Sequence, residues 1–296
     1  MSDNTAKIGE KTVKLSQPYR APLSKCIGRD TEMRKVLAAW MGATSGLPLS
    51  PLLIGEPGTG KNRIIYECAQ MCGKELYIFQ GHEDVTSSDL ECAVRFSDDA
   101  DRKMDYILTS VATGAMRGAV VFIDEIAKIR PRALAPLASL LDERRYIDSS
   151  LLGERIYAHP GFRFVAATNT TDLESRLLPD FIRSRMRPVI SVGYPEHREI
   201  EQIIRARFRT MSNNGNSLLS QFWSLWKEKN GDQSPTPRDA IYIFGYALNL
   251  ADFATIESQR PYSLEAGTHS GIIEAGHLEQ AFAAFHDLPP SPGWRK

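Results

Sequence analysis

One glycine-rich stretch constrains the fold of this chain more than any other. Residues 55–62 read Gly-Glu-Pro-Gly-Thr-Gly-Lys-Asn; the apolar run Pro51–Ile54 precedes them, and Arg63–Glu67, which has the composition of a helix start, follows. Strand, glycine-rich turn, lysine and helix in this order form a phosphate-binding loop, because glycine lets backbone N–H groups approach a phosphate and the helix N-terminus adds positive charge. The stretch therefore predicts a triphosphate site in which Lys61 reaches the β- and γ-phosphates.

Asn62 departs from the usual form of such a loop. The loop residues are Gly55, Glu56, Pro57, Gly58, Thr59, Gly60, Lys61 and Asn62. The residue after the lysine is normally a serine or threonine whose hydroxyl binds Mg²⁺. Asparagine is longer and offers a neutral amide oxygen, so it reaches the ion only if the ion shifts or a water intervenes. We therefore expect nucleotide binding that depends little on Mg²⁺, and slow hydrolysis.

A second apolar run ends in two acidic residues. Val120–Ile123 has the composition of a strand buried on both faces of a parallel sheet, and Asp124 and Glu125 follow it. Parallel α/β sheets bind ligands at the carboxyl ends of their strands. Adjacent carboxylates there are costly unless a cation pairs with them or they take part in chemistry, and a magnesium ion beside a triphosphate would supply that cation. The alternative is an ordinary solvated strand end.

Two further polar features follow along the chain. The apolar segment 162–168 predicts a strand, and Asn169 at its end either orients an attacking water or is a simple turn residue. Arg183, Arg185 and Arg187 then lie within five residues of one another. This cluster is either a solvated basic helix end or a positive tip that reaches a phosphate on a neighbouring subunit.

The order of elements divides the chain into three parts. Residues 1–24 are polar without periodicity, which predicts an N-terminal arm or linker. Residues 25–193 alternate strands and helices, as in an α/β domain with a parallel sheet, and residues 194–296 show helical patterns alone. Arg238 lies in the first turn of one of these helices, where it opposes the helix dipole, and this placement indicates that it serves an anion elsewhere.

Composition restricts the classes of function. The formal net charge is zero and the isoelectric point is about 7.0, which argues against a general nucleic-acid-binding surface. There is no apolar run of membrane-spanning length and no secretory signal near Met1, so we expect a cytoplasmic protein. The four cysteines have neither a disulfide rhythm nor the spacing of a zinc site.

Taken together, these features are similar to those of the AAA+ ATPases, over about residues 26–286. The resemblance is carried by the phosphate loop, the strand ending in Asp-Glu, the strand ending in Asn169, the arginine cluster and the helical part with Pro237-Arg238. Finer features resemble the MoxR and dynein-related branch, including Ser88-Asp89-Leu90 and the hairpin pattern of Tyr146–Tyr157. The resemblance implies a P-loop NTPase fold, a parallel sheet sandwiched by helices and followed by a small all-α lid.

The resemblance also implies a role for each matching residue. Gly55 through Lys61 correspond to the Walker A loop, and Asp124 and Glu125 to the Walker B pair. In that pair the first residue holds hydrated Mg²⁺ and the second polarises water. Asn169 corresponds to sensor 1.

Other positions correspond to more distant parts of the family's ATP site. Arg185 corresponds to the arginine finger, with Arg183 as the alternative, and Arg238 to sensor 2. The segment Ile27-Gly28-Arg29 corresponds to the adenine side. Residues 89–97, which we interpret as an irregular insertion, correspond to a loop that faces the ring centre.

For function, the resemblance implies an ATP- and Mg²⁺-dependent remodelling ATPase. It would act as a homo-oligomeric ring, a hexamer, on a protein client, with a separately encoded von Willebrand A-type partner. Two alternatives stay open: a nucleic-acid motor subunit of a restriction or defence system, which strong salt-dependent binding would support, and an ATP-gated scaffold in which Asn62 has weakened hydrolysis.

Overall fold

The structure is a computed structural model that describes residues 4–22, 25–42, 46–97, 103–175, 178–208, 215–256 and 272–286. Its strands are β1 (Thr5–Ile8), β2 (Lys11–Lys14), β3 (Leu52–Ile54), β4 (Leu76–Gln80), β5 (Cys92–Phe96), β6 (Met104–Leu108), β7 (Val120–Asp124), β8 (Tyr146–Ser149), β9 (Glu154–Tyr157), β10 (Arg163–Thr168) and β11 (Val189–Ser191). Its helices are α1 (Asp30–Trp40), α2 (Lys61–Met71), α3 (Ser110–Arg117), α4 (Ala135–Leu140), α5 (Thr170–Ser175), α6 (Asp180–Arg183), α7 (His197–Arg207), α8 (Gly215–Asn230), α9 (Pro237–Ile256) and α10 (Ala275–His286).

A parallel sheet of five strands, in the order β11-β3-β10-β7-β4, forms the centre of the first part of the chain. Successive side chains of a strand point to opposite faces of the sheet. Consecutive residues of these strands are apolar and buried, so both faces of the sheet are apolar. Phe122 and Val165 pack on one face with residues of α1 and α2, while Val121 and Phe164 pack on the other face with residues of α3 and α4. The predicted parallel sheet sandwiched by helices is confirmed.

The N-terminal residues differ from the predicted arm. β1 and β2 form an antiparallel pair that joins a second sheet of four strands, in the order β1-β2-β6-β5. Val13 pairs with Tyr106 of β6 and is fully buried, and Lys14 forms an ion pair with Asp105. The prediction of an arm was wrong here because a strand of four residues is too short for a periodic pattern, and its partner lies far along the chain.

The segment 89–97 is not the irregular insertion that the sequence suggested. A 3₁₀ turn at Ser88–Leu90 leads into β5, which pairs antiparallel with β6. Leu90 and Cys92 are buried in the core, whereas Phe96 at the far end of the strand is 84% exposed. Residues 98–102, between the two strands, lie outside the described residues. The segment is therefore one arm of a hairpin with a buried base.

The chain divides into two compact units, Met1–Gly193 and Tyr194–Lys296. The described part of the second unit consists of α7–α10, which pack around an aromatic cluster that includes Phe222, Phe244 and Phe282. Its role as a lid over the nucleotide stays a prediction. No helix in the described ranges is both long enough and apolar enough to cross a membrane.

Candidate nucleotide-binding and hydrolysis site

The predicted phosphate loop connects β3 to α2 at the carboxyl edge of the central sheet. Gly58 and Gly60 have φ angles of +84° and +99°, in the left-handed region that favours glycine. A Cβ atom added at Gly55 would lie 2.2 Å from the carbonyl oxygen of Val192, so only glycine fits there. A Cβ added at Gly60 would meet no atom within 4 Å, so the space beside this residue is open.

Lys61 is buried at the base of the loop, with 7% of the residue exposed. Its Nζ donates hydrogen bonds to the carbonyl oxygens of Gly55 (2.7 Å) and Glu56 (3.0 Å), and to Oδ1 of Asn169 (2.9 Å). The fold thus brings Asn169, 108 positions further along the chain, to the lysine. Because β3 and β10 are adjacent and parallel, their carboxyl ends meet at one edge.

Asp124 lies at the end of β7 and contacts Asn62. Asn62 Nδ2 donates to Asp124 Oδ2 at 2.9 Å, and the backbone N–H of Glu125 donates to Oδ1 at 3.0 Å. Burial raises the pKa of the Asp124 carboxyl, and these two hydrogen bonds act in the opposite direction. Asn62 therefore acts here as a hydrogen-bond donor to the carboxylate.

Glu125 follows in a constrained backbone conformation. Its φ of +54° is unusual for a residue with a Cβ atom, and a Cβ added at Gly81 would lie 2.5 Å from the Glu125 carbonyl oxygen. Its Oε2 accepts hydrogen bonds from Gln80 Nε2 (3.0 Å) and Lys128 Nζ (2.8 Å). The contact with Glu125 raises the pKa of Lys128.

Sequence reasoning missed Gln80 and Lys128 as neighbours of Glu125. Gln80 ends β4 and pairs in register with Asp124, so a strand alignment of the two runs was the signal that could have found it. Lys128 lies in a short 3₁₀ turn, where a lysine three residues after a glutamate gives no distinctive pattern. Both residues donate hydrogen bonds to the Glu125 carboxylate, which the sequence analysis identified as a candidate catalytic group.

Arg29 contacts the backbone of the phosphate loop. It is buried, with 6% exposed, and its Nη2 donates to the carbonyl oxygens of Thr59 (3.0 Å) and Gly193 (2.8 Å). The preceding Gly28 has a φ of +72°. Since its guanidinium contacts carbonyl groups of the chain, Arg29 ties the loop to the last residue of the first unit, and contact with an adenine stays a prediction.

The two candidate finger arginines have different surroundings. Arg185 Nη1 donates to the Phe181 carbonyl oxygen at 2.6 Å, and Nη2 donates to Asp142 Oδ2 at 3.0 Å. Arg144 also binds Asp142, and these contacts hold the pKa of the Asp142 carboxyl well below its usual range. Arg183 is exposed and pairs with Asp180 in the same turn. Arg185 is therefore the arginine whose side chain the fold orients.

Comparison with known proteins decides the family of this region. Residues 50–186 match the AAA domain, dynein-related subfamily. This part of the chain is an AAA+ domain of the dynein-related subfamily. The match includes the phosphate loop, the Asp124–Glu125 pair, Asn169 and Arg185.

Two curated relatives are similar to the AAA+ domain. Protein CbbQ of Hydrogenophilus thermoluteolus is 32% identical over 118 residues, which are 40% of this chain and 43% of that protein. Protein NorQ of Paracoccus denitrificans is 32% identical over 127 residues, which are 43% of this chain and 45% of that protein. The chain thus spans less than half the length of either relative. These similarities support the predicted MoxR-like branch.

A solved structure shows the same fold. A variant of RuvB from Thermotoga maritima has a TM-score of 0.57 and 19% identity, and the alignment covers 88% of this chain and 70% of that one. At this identity the likeness concerns the fold alone.

Arg238 lies outside the AAA+ match, in the second unit. It is exposed in the first turn of α9, next to a helix start in which the Thr236 hydroxyl and backbone N–H both donate to Asp239 Oδ2. The sensor 2 role that the resemblance implies for Arg238 stays a prediction.

Proposed function

We propose that the AAA+ domain of this chain hydrolyses ATP and drives the remodelling of a protein client. The observation that carries the proposal is the convergence of Lys61, Asn169, Asp124 and Glu125 at one edge of one parallel sheet. The space beside Gly60 is open, and a glycine-rich loop before a helix N-terminus suits a triphosphate. The Asp124 carboxylate accepts hydrogen bonds from the neutral groups Asn62 Nδ2 and Glu125 N–H, and such a carboxylate suits a magnesium ion.

In this proposal each residue has one task. Lys61 and the loop N–H groups would hold the β- and γ-phosphates, and Asp124 would hold Mg²⁺. When bound, the ion neutralises charge on the phosphate oxygens. Glu125 takes the proton of a water that attacks the γ-phosphorus in line, while the bond to the ADP oxygen breaks. Asn169 orients that water, so catalysis consists of positioning and charge stabilisation.

We further propose that the chain works as a homo-oligomeric ring, a hexamer. The support is Arg185, whose hydrogen bonds in the described part of the chain go to Phe181 and Asp142 and not to its own phosphate loop. A head-to-tail ring would place it against the γ-phosphate of the neighbouring subunit. Because the proposed reaction consumes ATP, we propose that the protein acts in the cytoplasm. We also propose that a von Willebrand A-type protein is the partner that recruits the client.

The decisive experiment measures ATP turnover by the full chain with and without Mg²⁺, alongside a Lys61→Ala variant. Light scattering with and without ATP reports the size of the assembly. Turnover that disappears in Lys61→Ala supports the ATPase; ATP-dependent assembly without turnover would instead support the scaffold alternative. Strong, salt-dependent binding of DNA or RNA would favour a nucleic-acid motor.

Asn62→Thr tests how the unusual loop residue affects turnover. The substitution removes the amide that now binds Asp124 and supplies a hydroxyl for Mg²⁺. We expect a stronger dependence on Mg²⁺ and an increase in kcat of about 10-fold, which corresponds to about 1.4 kcal/mol of transition-state stabilisation. Steady-state ATPase assays over a Mg²⁺ titration measure both effects.

The matched control is Asn62→Ala, which removes the amide without adding a hydroxyl. If Asn62→Thr leaves both the rate and the Mg²⁺ requirement as in wild type, asparagine is a competent ligand and the hypothesis is wrong.

The client contact is proposed to lie on the β5–β6 hairpin. Phe96 and Met104 are directly paired across its strands and are 84% and 52% exposed, so they form an apolar surface beyond the buried base of the hairpin. Replacing the whole segment 89–97 would remove the buried Leu90 and Cys92 and damage the core. The structure therefore favours a test confined to the two exposed side chains.

We expect the double variant Phe96→Ser/Met104→Ser to retain basal ATP turnover and to lose the client. The measurement compares proteins retained by a hydrolysis-deficient Glu125→Gln background with and without the two serines, identified by mass spectrometry. Met71→Ser, at an exposed methionine in α2, is the control. Equal retention with and without the serines would remove the hairpin from client binding.

A further inference from the structure

Lys128 lies between two carboxylates. Its Nζ is 2.8 Å from Glu125 Oε2 and 3.9 Å from Asp172 Oδ2, and its side chain is about one-third exposed. Glu125 Oε2 also accepts the hydrogen bond from Gln80. The oxygen that would take a proton from water thus already accepts hydrogen bonds from two donors, and one of them carries a positive charge.

Asp172 connects Lys128 to the phosphate loop. Asn169 Nδ2 donates to Asp172 Oδ2 at 3.1 Å, while Asn169 Oδ1 accepts from Lys61 at 2.9 Å. A continuous polar series therefore runs from Lys61 through Asn169 and Asp172 to Lys128, and ends at Glu125. One end of the series is the lysine that would bind phosphate, and the other is the proposed base.

We propose that Lys128 is a positioning residue that moves between Glu125 and Asp172 and thereby determines when Glu125 can act as a base. The inference rests on the proposed ATPase function. In the structure, Lys128 donates a hydrogen bond to Glu125 Oε2, the oxygen that would accept the proton of the attacking water. Once Lys61 turns towards a phosphate, Asn169 loses its lysine donor and its side chain is released to turn towards water. Asp172 then loses its amide donor, so its charge attracts Lys128 more strongly. Lys128 leaves Glu125, whose Oε2 keeps the hydrogen bond from Gln80 and gains space for a water.

The geometry suits a reversible exchange. Both carboxylates are partly exposed, with side-chain exposures of 28% for Glu125 and 24% for Asp172. Ion pairs at such positions contribute little free energy, so changing partner costs little. The long, flexible lysine side chain covers the distance between the two oxygens without movement of the backbone.

The first test does not depend on turnover. Acylation of Lys128 by a limiting amine-reactive reagent is measured by mass spectrometry, relative to the exposed Lys35, in the full chain and in Glu125→Gln and Asp172→Asn variants. In nucleotide-free protein, we expect Glu125→Gln to increase Lys128 labelling and Asp172→Asn to change it little. With a non-hydrolysable ATP analogue and Mg²⁺, this order should reverse. The same order with and without the analogue would overturn the inference.

The second test uses steady-state kinetics. We expect Lys128→Met to raise kcat by about 3-fold to 10-fold at unchanged KM, and Asp172→Asn to lower it, because Lys128 then has Glu125 as its remaining partner. Lys128→Arg keeps the charge and should stay near wild type. Arg130→Met, an exposed cation two residues further on, is the control for charge loss and should leave the rate unchanged.

The outcomes separate the inference from the function on which it rests. If wild type turns over ATP but Lys128→Met and Asp172→Asn change kcat in the same direction, the switch is wrong and the ATPase stands. If wild type shows no turnover, the ATPase proposal fails, and the labelling experiment still decides whether Lys128 changes partner. Melting temperatures of all variants identify any loss that is due to unfolding.

Discussion

Glu125→Gln is expected to lower the rate of ATP hydrolysis by about 10²-fold or more while ATP binding is retained. Glutamine has nearly the same shape as glutamate, so it can keep the backbone position at φ +54° and accept hydrogen bonds from Gln80 and Lys128. It is not a base at neutral pH and cannot accept the proton of the attacking water. The loss should therefore appear in kcat and not in nucleotide affinity.

The measurement combines steady-state turnover with direct titration of a fluorescent ATP analogue. Glu143→Gln, which makes the same chemical change at an exposed position in the loop before β8, is the matched control and should be neutral. Turnover of Glu125→Gln within about threefold of wild type would exclude Glu125 as the base, because general bases typically contribute 10²-fold to 10⁴-fold.

Arg185→Ala is expected to have an effect of comparable or larger size, about 10³-fold in kcat, if the arginine stabilises charge on the transferred phosphoryl group. The structure gives a reason to expect the effect at Arg185 and not at its neighbours. Asp142 and the Phe181 carbonyl group hold the Arg185 guanidinium in one orientation. Arg183→Ala is the matched control. It removes the same charge from an exposed side chain two residues before Arg185. It should change turnover by less than about threefold.

Mixing two inactive variants tests whether Arg185 acts on the neighbouring subunit. In a ring that contains Arg185→Ala and Lys61→Ala subunits, some interfaces combine an intact phosphate loop with an intact arginine. We expect these mixtures to regain a measurable part of the wild-type rate. If mixed rings form, as shown by native mass spectrometry, and remain as inactive as either parent, the arginine does not act across the interface.

Much of the site was predictable from the sequence because its main residues follow apolar strands. The glycine-rich loop follows β3, Asp124 and Glu125 stand at the end of β7, and Asn169 follows β10. Parallel strands place their carboxyl ends at one edge, so local patterns were enough to predict that these residues meet. The same patterns predicted the hairpin of β8 and β9 and the change to helices at Tyr194.

The residues that surround these groups depended on the tertiary structure. Gln80 and Lys128 reach Glu125 because strand register and a 3₁₀ turn place them there, and Asp142 reaches Arg185 across 43 positions. None of these side chains belongs to a periodic pattern.

The sequence by itself thus determined the central sheet, the order of the loop and strand ends that form the candidate nucleotide site, and the place where the helical part begins. Only the tertiary structure decided that β2 pairs with β6, joining the N-terminal hairpin to the hairpin that carries Phe96. The physical reason is that strand pairing is a non-local choice. Four-residue strands contain too little pattern to specify a partner some 90 positions away, and the partner is selected by burial of residues such as Val13 in the common core.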